Sequence, residues 1–106
     1  MHIQIVNFSL DGLDPADYEK HCERVAPDFA AMPGLIAKFW LADPESNTYG
    51  GVYLWQNRNA YQAYVTSDIF AGTIANPHLL GVTSRDFGIL EAPSEITRAF
   101  QFAPVA

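Results

Sequence analysis

The chain has 106 residues, 49% of them hydrophobic and 13% aromatic, with 17% charged residues and a net charge of −6. That length gives one domain, residues 1–106, near the lower end of what builds a sound core alone. The acidic balance excludes a nucleic-acid binder, which needs a basic patch to displace counterions. The thin charged coat calls for a partner surface, and a homodimer is the simplest one. No basic segment followed by an apolar signal core opens the sequence and no apolar run is long enough to cross a bilayer, so no membrane association and a cytoplasmic location are expected. The single cysteine, Cys22, has no internal disulfide partner, and no Cys or His cluster has zinc spacing.

Residues 2–8 form a short branched run and read as the first strand, broken by Asp11-Gly12. Asp14 followed by Pro15, with Asp17 in the first turn, is a helix start. Tyr18, Cys22, Val25, Phe29 and Met32 recur at helical spacing and form a core stripe, in which Cys22 is a small core residue. Pro27 lies inside that stripe and predicts a kink or brief break over residues 23–26. Pro33-Gly34 ends the helix. Residues 35–41 and 49–55 are apolar runs flanking the turn former Asp43-Pro44-Glu45-Ser46-Asn47, which predicts a β-hairpin.

Asn57 or Asn59 caps a second helix to about Thr66, with Ala60, Tyr61, Tyr64 and Val65 facing inward. Ser67-Asp68 restarts a shorter helix carrying Ile69, Phe70 and Ile74, ended by Asn76-Pro77. Residues 79–90 read as the last strand, bent or bulged at Gly81 or Gly88. Residues 91–106, with Ile96, Phe100 and Phe102 alternating, read as an extended apolar tail that packs on a partner subunit.

The order strand-helix-strand-strand-helix-strand predicts a ferredoxin-like α+β fold, a four-stranded antiparallel sheet with both helices on one face. Strand alternation sets Leu35, Ala37, Phe39 and Leu41 against Ile36, Lys38 and Trp40, and Val52 and Leu54 against Gly51, Tyr53 and Trp55. If the second set points away from the helices, two sheets paired face to face enclose an aromatic cavity, a dimeric α/β barrel.

The segments Met32-Pro-Gly-Leu-Ile-Ala-Lys-Phe-Trp40, Tyr49-Gly-Gly-Val-Tyr-Leu-Trp55 and Pro93-Ser-Glu-Ile-Thr-Arg98 resemble the YdhR-type monooxygenases, within the antibiotic-biosynthesis-monooxygenase class of dimeric α/β barrels. The resemblance implies a small cytoplasmic homodimer. The related haem-degrading branch is similar over residues 55–74, and Asn7 stands where that branch has a functional asparagine. Its haem-ligating histidine falls at Ile74 here, however, and its ring-distorting tryptophan at Tyr64, so haem degradation is not expected.

Oxygenases of the wider class use no metal, flavin or haem: the deprotonated aromatic substrate itself reduces oxygen. By resemblance, the expected function is a cofactor-independent monooxygenase acting on a small phenol, anthrone or quinol, with molecular oxygen as co-substrate. Such a site needs a cation or donor for the oxyanion, a proton acceptor and a dry cavity. Lys38 is the candidate cation, Tyr53 a donor or relay, and His78 a base at the cavity mouth. Trp40 and Trp55 are candidate walls for a planar ligand, with Ile36 beside them. Either Arg85 or Asp86 faces the lumen, depending on the register of the last strand; Asp86 is the candidate ligand contact. His2 sits by the terminus, and His21 on the solvated side of its helix. Two other readings stay open: a non-catalytic binding dimer with the same cavity, and an isomerase or lyase using His78 or Asp86 as base.

Overall fold

A computed structural model of the chain describes residues 1–101. The elements are β1 (His2–Leu10), α1 (Pro15–Ala30), β2 (Leu35–Asp43), β3 (Thr48–Trp55), α2 (Arg58–Val65), α3 (Asp68–Ala75), β4 (Leu79–Gly88) and α4 (Glu91–Ile96). The strands form one antiparallel sheet in the order β2-β3-β1-β4. This is the ferredoxin-like α+β fold.

Local chemistry accounts for the helix starts. The Asp14 carboxylate accepts from Ala16 N at 2.7 Å and Pro15 occupies the first turn. Asn57 caps α2 through Ala60 N at 2.9 Å, and Ser67 caps α3 through Phe70 N. Helix α1 runs unbroken through Pro27, against the expected break. Pro27 lies in the last turn, where its missing N–H removes a single ladder bond, and its carbonyl still receives Ala31 N at 3.1 Å. At the hairpin, Asn47 takes a positive φ of 49°. Its amide accepts from Leu10 N at 3.4 Å and donates to Leu10 O at 3.0 Å, which ties the β2–β3 turn to the end of β1.

The faces of the sheet are the main correction to the sequence reading. Burial alternates along β1, with His2, Gln4, Val6, Phe8 and Leu10 buried. The register places Trp55, Tyr53, Gly51 and Tyr49 of β3 beside them, then Lys38 and Trp40 of β2. This face packs on the helices: Val6, Phe8, Tyr49, Tyr53 and Trp55 join Tyr18, Cys22, Phe29, Tyr64 and Phe70 in one core cluster. Lys38, Trp40, Tyr53 and Trp55 therefore point at this chain's own helices, not toward a second sheet. Full burial of an aromatic or large aliphatic side chain contributes about 1.5–3 kcal/mol, so the larger rings take the covered face. The smaller branched residues Ile3, Ile5, Val52 and Leu54 share the opposite, open face with Phe39 and Phe87.

Two further expectations change. Residue Ile36 is left without a partner by a register shift between Leu35 and Ala37 and is 47% exposed. The segment read as an extended tail opens with α4 followed by a turn, because Thr97 N bonds Pro93 O and Arg98 N bonds Glu95 O. Phe102 and Pro104 of that segment lie outside the described residues.

Candidate active site: an aromatic chamber around Lys38

The β2–β3 pairing sets Lys38 opposite Tyr53, and Trp40 opposite Gly51. Gly51 matters here because it has no side chain: a Cβ at this position would lie 2.9 Å from Lys38 Cε. The lysine stem thus lies across the glycine. Its Nζ sits 3.6 Å from the centre of the Phe29 ring, 3.3 Å from Trp40 and 4.6 Å from Tyr53. Among the described residues, Lys38 has no salt bridge and no hydrogen bond within the protein, and its Nζ is not sealed from solvent. Three ring faces favour the ammonium, but burial opposes it and, against a smaller opposite effect of the Cys22 sulfur, pulls Lys38 down from 10.5 to about 7.

Helix α1 closes the chamber with residues one and two turns apart. Tyr18, Cys22 and Phe29 all point at the sheet. Burial pushes the Tyr18 phenol and the Cys22 thiol up, so both are neutral at ordinary pH. Tyr53 is likewise pushed up by burial and by Tyr64, whose hydroxyl shares a 3.1 Å hydrogen bond with its own. The chamber encloses about 80 Å³. It adjoins a vestibule of about 310 Å³ between α1 and α3, with which it shares His21, Val25, Phe29, Thr73 and Leu79. The two together fall in the size range of small-molecule sites. Gly50 forms part of the chamber wall and tolerates no side chain: its φ is 146°, and a Cβ would lie 1.8 Å from Val6 O.

The sequence candidates separate cleanly. Lys38, Trp40 and Tyr53 meet in the chamber. Trp55 lies behind it, 1% exposed, stacked on Tyr53 at 5.8 Å and donating from Nε1 to Gln4 at 3.0 Å. It is a core residue. Ile36, on the bulge, does not reach the chamber. Asp86 shares the helix-side face with Lys38, and Arg85 takes the open face, where its guanidinium lies over Phe87 at 5.2 Å. But β4 and β2 are opposite edges of the sheet. Asp86 is engaged there by His2 Nε2 at 2.7 Å and the Tyr61 hydroxyl at 3.0 Å. The His2 hydrogen bond holds its carboxyl below the usual range. His78 is exposed, and its Nδ1 bonds Asp11 O at 2.8 Å, joining two loops.

The sequence reading missed Phe29, Cys22 and Tyr18 as chamber residues, and His21 at the mouth. Their signal was present in the α1 stripe. It reads as plain core until the opposing strand face is known.

The fold and the chamber define a class: a ferredoxin-like domain with an aromatic pocket between sheet and helices. The chain belongs to the family described as "Putative mono-oxygenase ydhR", whose sequence profile matches residues 3–100. No curated protein sequence matches it. Among solved structures it is similar to a "putative antibiotic biosynthesis monooxygenase" from Deinococcus radiodurans, at 12% identity and a TM-score of 0.71, over 87% of this chain and 95% of that one. It is also similar to SnoaB, a cofactor-independent oxygenase from Streptomyces nogalater, at 23% identity and a TM-score of 0.65, over 86% and 95%. A third is the haem degrader MhuD from Mycobacterium tuberculosis, at 20% identity and a TM-score of 0.68, over 85% and 96%. At these identities the likenesses show the fold.

The imidazole that lines the chamber is His21 of α1, at its mouth. Helix α3 carries no imidazole, and Ile74 on it is 57% exposed. His78 lies beyond the helix, tied to Asp11. No group of three metal-ligating side chains occurs among the described residues.

Proposed function

We propose that the chain is a cofactor-independent monooxygenase of small electron-rich aromatics of the phenol, anthrone or quinol type, with molecular oxygen as co-substrate. The observation that carries this reading is Lys38, a cation boxed by three rings with no carboxylate beside it. An ammonium in that position lacks an anion, and a substrate oxyanion supplies one. With its pKa drawn down to about 7, Lys38 also serves as the base. The neutral amine takes the proton of an enol or phenol, and the resulting ammonium holds the anion in place. An 80 Å³ chamber admits the reacting edge of a ring, and the remainder lies in the vestibule. The anion then reduces oxygen. For an anthrone, the ring CH₂ and O₂ become a ring carbonyl and one water, so the substrate supplies every electron and no external reductant enters.

The unit of function in this reading is a homodimer joined through the open sheet face. Ile3, Val52, Leu54 and Phe39 on that face, with Leu90 and Phe100 of the C-terminal segment, border an apolar groove of about 420 Å³. Phe39 and Phe87 are 54% and 42% exposed in the single chain. An apolar face of this kind is self-complementary across a two-fold axis. Because the chamber is built within one chain, each subunit carries its own site.

The test is oxygen uptake by metal-stripped protein against anthrones, hydroquinones and naphthols, paired with Lys38→Ala. Uptake that survives chelation and is lost in the variant supports the reading. Absence of uptake, with ligands still quenching the fluorescence of Trp40, supports a binding dimer instead.

A further inference from the structure

The sequence contains two lysines, Lys20 and Lys38, and they occupy opposite environments. Lys20 is exposed on α1. Lys38 is half-buried, with its stem across Gly51 and its Nζ against Phe29, Trp40 and Tyr53. The titratable groups facing it are Tyr18, His21 and Cys22 from α1 and Tyr53 from β3, with Tyr64 of α2 behind Tyr53. Helix α3 contributes only Thr73. No carboxylate lines the chamber; Asp28 lies farther out, in the vestibule, and Glu19 of α1 lies on the other side of Cys22, in the cleft that Cys22 and Trp40 also line. Desolvation without an anionic partner is the physical route by which a lysine becomes a nucleophile, since only the neutral amine has a lone pair to give.

We propose that Lys38 is a carbonyl-reactive amine that forms an imine with aromatic aldehydes and ketones admitted through the vestibule between α1 and α3. In this step the Nζ lone pair attacks the carbonyl carbon and the C=O π pair moves to oxygen, giving a carbinolamine. Nitrogen then gives up its two hydrogens, which leave with the carbonyl oxygen as one water, and the C=N bond forms. No oxidant or reductant takes part. Ring faces along the path favour an aromatic carbonyl over an aliphatic one: Trp40 and Phe29 meet edge-on at 5.3 Å and present flat surfaces beside Nζ. The activity is independent of oxygen, so it stands or falls separately from the oxygenase reading.

The experiment uses wild-type protein and 2-naphthaldehyde at pH 7, with cyanoborohydride present to reduce and trap any imine, followed by peptide mapping. An ordinary lysine is neutral in about 1 molecule in 2,500 at pH 7, whereas about half of Lys38 is neutral at a pKa of about 7. Lower basicity costs intrinsic nucleophilicity, so the expected advantage of Lys38 over Lys20 is at least about tenfold in labelling rate. Labelling of Lys38 levels off above about pH 7, while that of Lys20 keeps rising toward its ordinary pKa near 10.4. In concentrated urea the two lysines label alike, and the N-terminal amine serves as an internal calibrant in every sample. Preferential labelling of Lys20 at pH 7, or a Lys38 advantage that survives urea, overturns the proposal. So does a Lys38 profile that rises in parallel with Lys20 to pH 10.

Discussion

Replacing Lys38 by Met keeps the stem and removes the charge, so the stability difference between variant and wild type reads out the cost of the buried ammonium. In the folded chain the Lys38 pKa falls from 10.5 to about 7, and the cause is burial. The unfolded chain therefore holds more protons than the native one between those two values, and wild-type stability rises with pH across that window. At 1.36 kcal/mol per pKa unit the whole shift corresponds to at most about 4–5 kcal/mol. Solvent still reaches part of the side chain and the ring faces of Phe29, Trp40 and Tyr53 favour the ammonium, so the swing falls short of that limit. The expected net swing is about 3–4 kcal/mol, which keeps the folded pKa within about a unit of 7. Urea unfolding of both proteins at pH 6, 8 and 10 measures it. Lys38→Met is expected to be the more stable protein at pH 6, by about 3–4 kcal/mol, and the two converge at pH 10. Other titrations are common to both chains and cancel in the difference. A difference that does not vary with pH, or a wild type favoured at pH 6, would refute an ammonium held without a counter-ion.

Gly51→Ala places a methyl 2.9 Å from Lys38 Cε and displaces the flexible end of that side chain. Folding survives with a stability change within about 1 kcal/mol, while labelling and activity at Lys38 fall about tenfold, a loss of about 1.4 kcal/mol. Gly50→Ala is the contrasting substitution. Its Cβ meets backbone, Val6 O at 1.8 Å, and thermal melting is expected to show a loss of more than about 3 kcal/mol or failure to fold. Gln4→Leu strips Trp55 Nε1 of its acceptor and Ser84 of its donor in a fully buried position. The expected cost is about 1–3 kcal/mol by urea unfolding. Asp86→Asn removes a carboxylate whose folded pKa is depressed chiefly by His2. The stability it confers is present above the ordinary carboxylate value and lost as pH falls through the lower folded one. An acid titration of the variant is thus expected to be flatter than that of wild type.

Much of the architecture was legible because local signals and hydrophobic period agree. Asp14-Pro15, Asn57 and Ser67 are caps with side-chain acceptors, and the hairpin turn has Asn47 where a positive φ is needed. The strand faces were not legible. Alternation assigns Lys38, Trp40 and Tyr53 to one side, but both sides of this hairpin are apolar, and a period of two is silent on which side the helices cover. Sheet order and the α1 stripe decide that, and both are tertiary facts. The same ambiguity misplaced Trp55, whose indole N–H finds its partner in Gln4 across β1. It also misjudged Asp86, which has the expected face but the wrong edge of the sheet. The bulge at Ile36 arises from a one-residue shift between β2 and β3 that no residue pattern announces. His21 was correctly placed on the exposed side of α1, yet that side borders the vestibule because α3 stands across from it.

The central claim is that Lys38 holds an aromatic oxyanion inside the chain's own chamber. The absorption spectrum of a bound, oxidation-resistant naphthol tests it most directly, under anaerobic conditions and at a pH where the free compound is protonated. Naphtholate bands with wild-type protein, replaced by the neutral spectrum or by loss of binding in Lys38→Met, are the expected result. A ligand bound in its neutral form with equal affinity by both proteins would contradict the account.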